Sequence, residues 1–179
     1  VVLLSERAVT SGRLSAACKA TPMPSVLYYD LASPYAYLAV ARAADTYTVD
    51  SVHSSVSFMI SHAGISNIHG RFNDFSGKIA IDEDPAKSSF ALTIPIESID
   101  TNNVKRDEHL RAPDYFNAKQ FPTMSFQSTK VKAIDGGYEV TGELTLHGVT
   151  RPVTLNLDGG HTVVEFPKGT KRIGLTSEF

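Results

Sequence analysis

The sequence lacks the basic blocks of a nucleic-acid-binding protein, the cysteines of a disulfide-rich protein and the long apolar run of a transmembrane helix. Its 17 lysines and arginines are balanced by 19 aspartates and glutamates, and no basic block is present, so we expect no nucleic-acid partner. A single cysteine, Cys18, excludes an internal disulfide and a cysteine-rich metal site. No apolar run reaches the roughly 20 residues that a transmembrane helix needs. The 179 residues, 42% of them hydrophobic, are enough for one globular domain with a sizeable core.

Residues 1–46 differ in character from the rest of the chain, and we treat them as an N-terminal extension. Residues 1–25 have weak periodicity, which indicates a linker or partial helix. In 26–44, Val26 to Asp30 predicts a strand, Ser33-Pro34 a turn and the following alanine-rich run a helix. The same stretch ends in Ala41-Arg42-Ala43, a loose export-signal cleavage pattern. An extension packed outside the main domain, an export signal and a strand-helix fragment all remain open.

One of these alternatives rests on a resemblance. The run Asp30-Leu31-Ala32-Ser33-Pro34-Tyr35 resembles the opening of the DsbA-like 2-hydroxychromene-2-carboxylate isomerases, which have a thioredoxin fold. The resemblance implies a serine, here Ser33, near the thiol of bound glutathione. Nothing later in the chain supplies the remainder of that fold.

From Tyr47 onward, apolar residues recur at every second position, as half-buried strands require. Runs of this kind are joined by short turns such as Gly136-Gly137. About eight strands at ten-residue spacing predict an all-β fold, an antiparallel barrel just wide enough for one small ligand or a plug of side chains. The charged stretch from Asn103 to Pro122 is the one helix-like interruption, and we expect it to cross one end of the barrel.

Several short motifs follow one another in residues 47–158 in a recognisable order. They include Tyr47-Thr48-Val49-Asp50, Gly70-Arg71-Phe72, Arg106-Asp107-Glu108-His109-Leu110 and the run from Gly142 to Thr150. In this order they resemble the YceI-like family of polyisoprenoid-binding, lipocalin-like barrels. The resemblance implies an eight-stranded barrel over residues 47–179 whose hydrophobic channel takes a long isoprenoid-type amphiphile, such as a polyprenyl or quinone. It also implies a periplasmic or secreted location.

The resemblance further implies one more strand after the position of Phe179. We therefore expect the final family strand to be missing, so that the N-terminal segment or a second chain, as in a homodimer, would have to fill the gap.

The inward-facing residues predict the ligand-binding set. The apolar lining, with His62 on the same face, consists of Phe58, Ile60, Phe72, Phe75, Phe90, Leu92, Ile94, Met124, Phe126, Leu144 and Leu155. The alternating pattern alone favours a core that packs on itself, whereas the family resemblance favours a channel.

The charged stretch contains the candidates for polar contacts. Arg106 and His109 are predicted to meet the head group at the channel mouth. The alternative is an exposed cap stitched by ion pairs, with Asp107 and Arg111 spaced i,i+4 on a helix.

Neither a metal site nor an active site is predicted. The six histidines lack the spacing of a metal site, and no nucleophile motif is present, so we expect no metal, no cofactor and no catalytic residue. The sequence thus predicts non-enzymatic binding, storage or transport of an isoprenoid-type lipid. A glutathione-dependent isomerase and an interaction module with a self-filled barrel remain as alternatives.

Overall fold

The computed structural model describes residues 2–5, 44–165 and 169–178, with side chains from residue 44 onward. Ser33, Cys18 and the signal-like Ala41-Arg42-Ala43 lie outside the described residues. The strands are β1 (Val2–Ser5), β2 (Asp45–Val49), β3 (Val56–His62), β4 (Ser66–Phe72), β5 (Ser76–Ile81), β6 (Ser89–Pro95), β7 (Ile99–Asp100), β8 (Thr123–Ile134), β9 (Gly137–Leu146), β10 (Val149–Gly159), β11 (Val164–Glu165) and β12 (Lys171–Thr176). One α-helix, α1 (Val104–Arg111), and two single-turn 3-10 helices, Pro85–Lys87 and Ile96–Ser98, complete the described elements.

The large sheet closes on itself through eight antiparallel strands. They follow the order β1-β2-β5-β6-β8-β9-β10-β12, and β12 pairs back with β1. Leu175 of β12 pairs with Val2 on one edge and with Gly159 of β10 on the other. The short β11 pairs with β12 on the β10 side, because Arg172 has Ser5 and Val164 on opposite edges. The predicted all-β antiparallel barrel is confirmed.

Strand β1 fills the gap that the sequence predicts in the barrel. Leu4 pairs with Ile173 of β12 and with Val49 of β2, so its backbone joins the two ends of the sheet. This strand comes from the stretch that the sequence assigns to the N-terminal extension. Because an open sheet edge leaves a row of unpaired N–H and C=O groups, such a strand is the natural closure.

A second sheet, β3-β4-β7, lies at one end of the barrel. The sequence predicts one long strand over residues 68–82, with a bulge between Phe72 and Phe75, but the structure shows two strands in two different sheets. The chain bends after Phe72, which lets both phenylalanines be buried although they are three residues apart. The predicted strand over 88–99 is likewise divided, by the 3-10 turn Ile96–Ser98.

The buried side chains form two groups. The barrel cluster lies in the interior and comprises Tyr47, Ile79, Phe90, Phe126, Val131, Tyr138, Val140, Ile173 and Leu175. The cap cluster comprises Phe72, Phe75, Ile94, Ile96, Ile99 and Ala118. Val49 and Leu92 pack against both groups, so the apolar interior is continuous.

The charged stretch crosses one end of the barrel, as predicted, but only α1 within it is helical. The side chain of Asn103 caps α1 by accepting a hydrogen bond from the Arg106 amide at 3.1 Å. Leu110 and Phe116 pack on the cap cluster, and Ala118 belongs to it. This connection therefore closes the end of the barrel at which β8 begins.

Candidate functional site

The inner wall of the barrel contains apolar side chains that are only partly buried. On β9 and β10, the inward positions pair as Leu155 with Val140 and Leu157 with Tyr138. Val140 is fully buried, whereas both leucines keep accessible surface. The partly buried aliphatic residues that pack against the barrel cluster are Val49, Ile81, Leu92, Leu144, Val153, Leu155 and Leu157.

A glycine in β9 makes room for an aromatic ring in this interior. A Cβ at Gly142 would lie 2.5 Å from Cζ of Phe126, closer than carbon atoms can approach. Because the side chain is missing there, the Phe126 ring can lie against the β9 backbone. This explains why the inward row Tyr138, Val140, Gly142 and Leu144 is interrupted by glycine.

Most of the predicted lining residues lie in the two clusters. Phe90 and Phe126 belong to the barrel cluster, and Leu92, Leu144 and Leu155 pack against it. Phe72, Phe75 and Ile94 belong to the cap cluster, with Phe58 and Met124 packed against it. The side chains that sequence reasoning assigns to one continuous lining thus divide between the interior and one end of the barrel.

Two predicted lining residues, Ile60 and His62, lie outside both clusters. Ile60 is 57% exposed, and His62 is exposed at the tip of the β3–β4 hairpin. They share a hairpin face with Phe58, whose ring lies 5.7 Å from that of Phe72. The alternation identifies the face correctly, but the hairpin extends beyond the core, so its outer half has nothing to pack against.

Arg106 is held by the protein itself. Its Nε donates to Oγ1 of Thr101 at 2.7 Å, and its Nη2 donates to the carbonyl of Thr101 at 2.7 Å. The backbone N–H and the hydroxyl of the buried Thr101 donate in turn to Oδ1 of Asp107, at 2.9 and 2.6 Å. These bonds attach the first turn of α1 to Thr101, the residue that follows β7.

The predicted ion pair between Asp107 and Arg111 is wrong. Asp107 is buried on Thr101, while Arg111 donates to the carbonyls of Glu97 and Ile99 at 3.0 and 2.8 Å. The physical reason is that Asp107 accepts both donors of the buried Thr101, so Arg111 has the Glu97 carboxylate, 3.8 Å from its Nε, as its acidic neighbour instead.

His109 points away from the interior. Its Nε2 lies 2.8 Å from Oδ2 of Asp114, and both side chains are 60% exposed. The centroids of the His109 and Tyr115 rings are 4.7 Å apart, and the two rings are nearly perpendicular. The structure therefore brings neither Arg106 nor His109 into contact with the barrel cluster.

A groove opens at the other end of the barrel, away from α1. Gly136 follows β8 and Gly159 ends β10, whereas the α1 connection enters β8 at its start. The groove encloses about 640 Å³ and is lined by Gly136, Gly159, Gly160, His161, Thr162, Val164, Arg172, Ile173 and Gly174. Ile173 belongs to the barrel cluster, whereas Arg172 and Gly174 lie on the opposite, outward face of β12.

Two rings stand beside the groove. The ring centroids of His161 and Tyr138 are 5.4 Å apart, and burial raises the pKa of the Tyr138 phenol above its ordinary value. Sequence reasoning missed this groove because Gly159-Gly160 indicated only a turn. The signal was the glycine pair itself, whose φ values of 100° and 82° separate β10 from β11 while the Gly160 N–H still donates to the carbonyl of Gly174 at 2.8 Å.

Arg172 is the charged side chain of the groove. Its Nη1 lies 3.2 Å from Oδ2 of Asp50, and its Nε is buried without a hydrogen-bond partner among the described residues. Asp50 also accepts bonds from the amides of Val52 and His53, at 3.1 and 3.3 Å, and lies 3.0 Å from Nδ1 of His53. Burial raises the pKa of Asp50, but the hydrogen bonds from His53 and Val52 outweigh it and hold the pKa below its ordinary value.

No group of three or more histidine, cysteine, aspartate or glutamate side chains in the described part of the chain could hold a metal ion. Among the same residues, the one α-helix is too short and too polar to span a bilayer.

Comparison with known proteins gives consistent matches. A family model described as the YceI-like domain matches residues 47–176. A UPF0312 protein of Photorhabdus laumondii is 48% identical over 107 residues, which cover 59% of this chain and 56% of that protein. The chain thus spans little more than half the length of this curated relative.

Solved structures agree with the fold. The crystal structure of a Campylobacter jejuni YceI protein is 37% identical, with a TM-score of 0.56 over 72% of this chain and 75% of that one. Burkholderia cenocepacia BcnA, at 22% identity, has a TM-score of 0.60 over 73% of this chain and 99% of its own, and shares the fold alone.

Proposed function

Because this chain belongs to the YceI-like family, we propose that its barrel binds a long isoprenoid-type amphiphile, such as a polyprenyl or quinone, without catalysing a reaction. The protein would store or carry this lipid, in the periplasm or outside the cell. No cofactor is needed for that role, since a hydrocarbon tail is recognised by burial alone.

The observation that carries the proposal is the row of inward-facing aliphatic residues that remain partly exposed. Leu144, Val153, Leu155 and Leu157 line adjacent strands and pack on the barrel cluster, yet each keeps accessible surface. A tail that covers this surface gains about 25 cal/mol per Å² of apolar area removed from water. A tail burying some hundreds of Å² would therefore bind tightly after the cost of ordering it is met.

The proposed lining is the predicted set that lies in the two clusters. It consists of Phe58, Phe72, Phe75, Phe90, Leu92, Ile94, Met124, Phe126, Leu144 and Leu155. We assign Arg106 and His109 to the end of the barrel that the α1 connection closes. There Arg106 hydrogen-bonds Thr101, and His109 pairs with Asp114.

An interaction module whose barrel is filled by its own side chains is the second candidate. The tight centre of the barrel favours it, since Val140 is 0% and Ile173 is 1% exposed. That alternative predicts that the protein carries no lipid.

Mass spectrometry of an organic extract of the purified protein tests the proposal. We expect about one isoprenoid lipid per chain, and a several-fold lower yield from Leu155→Gln, because an amide in the lining costs roughly 1–3 kcal/mol when it is buried unpaired. Asn156→Gln is the matched control, since Asn156 is the exposed neighbour on the same strand. A clean extract, together with no uptake of farnesyl or longer probes, would leave the self-filled barrel as the answer.

A further inference from the structure

We propose that the tip of the β3–β4 hairpin docks on the surface of an anionic lipid bilayer, and that the protein exchanges its lipid there. The inference rests on the proposed function for the purpose of docking, because a long isoprenoid is almost insoluble in water and has to be collected from a membrane or delivered to one. The docking itself is argued from the hairpin alone.

The first argument is the apolar surface at the tip of the hairpin. Ile65, in the turn between the two strands, is 86% exposed, and Met59 and Ile60 of β3 are 59% and 57% exposed. Met59 pairs with His69 and Ile60 with Ile68, so apolar side chains lie on both faces of the hairpin. Several exposed apolar side chains on one projecting element mark a surface that contacts a membrane or a protein.

The second argument is the charge of the hairpin. Residues 51–73 contain no aspartate or glutamate, although the whole chain has 19 of these residues and a formal net charge of -2. The same stretch contains Arg71, whose side chain is 65% exposed, together with His53, His62 and His69. An anionic membrane surface would therefore meet no carboxylate on the hairpin and would attract Arg71.

The third argument is the order of the side chains from the tip to the base. Ile65 lies in the turn, the pair of Ile60 and Ile68 comes next, and Arg71 lies at the base, where it pairs with Asp100. A strand rises about 3.3 Å per residue, so Arg71 lies roughly 20 Å from Ile65 along the hairpin. When the apolar tip enters a bilayer by about 5–10 Å, the guanidinium stays at the level of the lipid head groups.

The fourth argument is that the hairpin leads to the apolar interior. Phe58 lies on the same face as Ile60, two residues closer to the barrel, and packs against the cap cluster. Its ring centroid is 5.7 Å from that of the buried Phe72. One face of the hairpin therefore connects the exposed tip with the core of the barrel end.

The small size of the tip favours a bilayer over a second copy of this chain. A stable protein interface buries about 800 Å² on each partner. Met59, Ile60 and Ile65 together offer a few hundred Å² at most, which suits the weak, reversible contact that lipid exchange needs. Among the described residues, β3 pairs with β4 alone, and its unpaired outer edge limits insertion to the head-group boundary because backbone groups need partners in lipid.

The first experiment is co-sedimentation of the whole protein with vesicles. One kind of vesicle is phosphatidylcholine alone, and in the other a third of the lipid is phosphatidylglycerol. We expect binding to both, about fivefold tighter to the vesicles with phosphatidylglycerol, because one arginine lies near the charged surface. High salt should remove this preference, since it screens exposed charges.

Two variants and a control locate the contact. Ile65→Ser should weaken binding to both kinds of vesicle about tenfold, because an isoleucine side chain no longer leaves water. Arg71→Gln should remove only the preference for phosphatidylglycerol. Val163→Ser is the matched control, since Val163 is also an exposed apolar residue but precedes β11, and it should change neither affinity.

The second experiment separates docking from lipid binding. A fluorescent geranylgeranyl probe is offered to the protein either in vesicles that contain phosphatidylglycerol or in vesicle-free solution. Ile65→Ser should slow the transfer from vesicles about tenfold, in proportion to its weaker docking. It should leave the equilibrium uptake from solution unchanged, because Ile65 is exposed and lies outside both buried clusters.

The outcomes separate the two proposals. A native protein that takes up the probe from solution but binds no vesicles, or vesicle binding that survives Ile65→Ser, would overturn the docking site while the lipid-binding function stands. A native dimer that Ile65→Ser converts to a monomer on size-exclusion chromatography would assign the tip to a second copy and overturn the membrane contact. Vesicle binding that depends on Ile65, without any uptake of the probe, would overturn the proposed function and leave the docking site.

Discussion

At the scale of single residues, Asp50 connects the loop after β2 to the last strand of the barrel. It accepts hydrogen bonds from the amides of Val52 and His53 and lies 3.2 Å from Nη1 of Arg172. Because β1 lies between β2 and β12, this ion pair holds the two strands that flank the closing strand. One carboxylate therefore contributes both to the loop and to the closure of the barrel.

Replacing Asp50 by Asn should destabilise the protein in a pH-dependent way. The folded-state pKa of Asp50 lies below its ordinary value of 3.8, so its contribution to stability is present above that value and is lost as the pH falls through the folded-state pKa. We expect Asp50→Asn to lower the free energy of unfolding by about 1 kcal/mol at pH 7 and by less at pH 3, which lies below the ordinary value. Urea denaturation at the two pH values measures this difference.

Glu83→Gln, on an exposed turn, serves as the control for the removal of one negative charge. It should change stability little at either pH. An Asp50→Asn effect of equal size at pH 7 and pH 3 would mean that the ionised carboxylate is not what holds the closure together.

At the scale of elements, the β3–β4 hairpin shows a change of environment along a single face. Val56 pairs with Phe72 near the barrel, Phe58 pairs with Gly70, and Ile60 pairs with Ile68 further out. A Cβ at Gly70 would lie 2.3 Å from Cζ of Phe58, so the ring occupies the space that the glycine leaves. The inner half of the face belongs to the core and the outer half does not.

Truncating a side chain in the inner half of this face should lower the free energy of unfolding far more than truncating one in the outer half. Phe72→Ala should lower the free energy of unfolding by about 3–5 kcal/mol, because it empties a buried site in the cap cluster. Ile60→Ala, on the same face of the hairpin, should change it by less than about 0.5 kcal/mol. Chemical denaturation of the pair measures both, and a large loss for Ile60→Ala would show that the core reaches the hairpin tip.

At the scale of the whole molecule, closure depends on four residues at the start of the chain. Among the residues that the structure describes, β1 is the one link between β2 and β12 in the ring of eight strands. Without it, both of these strands would present unpaired backbone groups along one edge. Such edges pair readily with other chains.

Deleting residues 1–5 should therefore open the barrel. We expect a fall of several degrees in Tm, because ladder hydrogen bonds on two strands are lost. We also expect association that increases with protein concentration. Thermal melts and size-exclusion chromatography at two concentrations measure these effects, and an unchanged Tm with a monomeric elution volume would show that β1 does not close the sheet in solution.

The apolar interior was more predictable than the polar contacts around it. Inward positions such as Phe90, Phe126 and Leu144 follow from alternation, because a strand turns successive side chains to opposite faces. Ile60 follows the same alternation and is nevertheless exposed, since alternation cannot show where the core ends. Arg106 and His109 were placed by charge and helix spacing, which carry no information about the distant groups that each would meet.

The local sequence determined the strands, their inward faces, the turn glycines and the charged connection, because these depend on backbone preferences and a period of two. Only the tertiary structure decided how the barrel closes, since the pairing of Leu4 with Ile173 joins residues from opposite ends of the chain. It likewise decided that Arg106 holds Thr101 while Arg172 keeps a buried donor beside an open groove. Such contacts depend on which side chains the closed sheet brings together, and no local pattern contains that information.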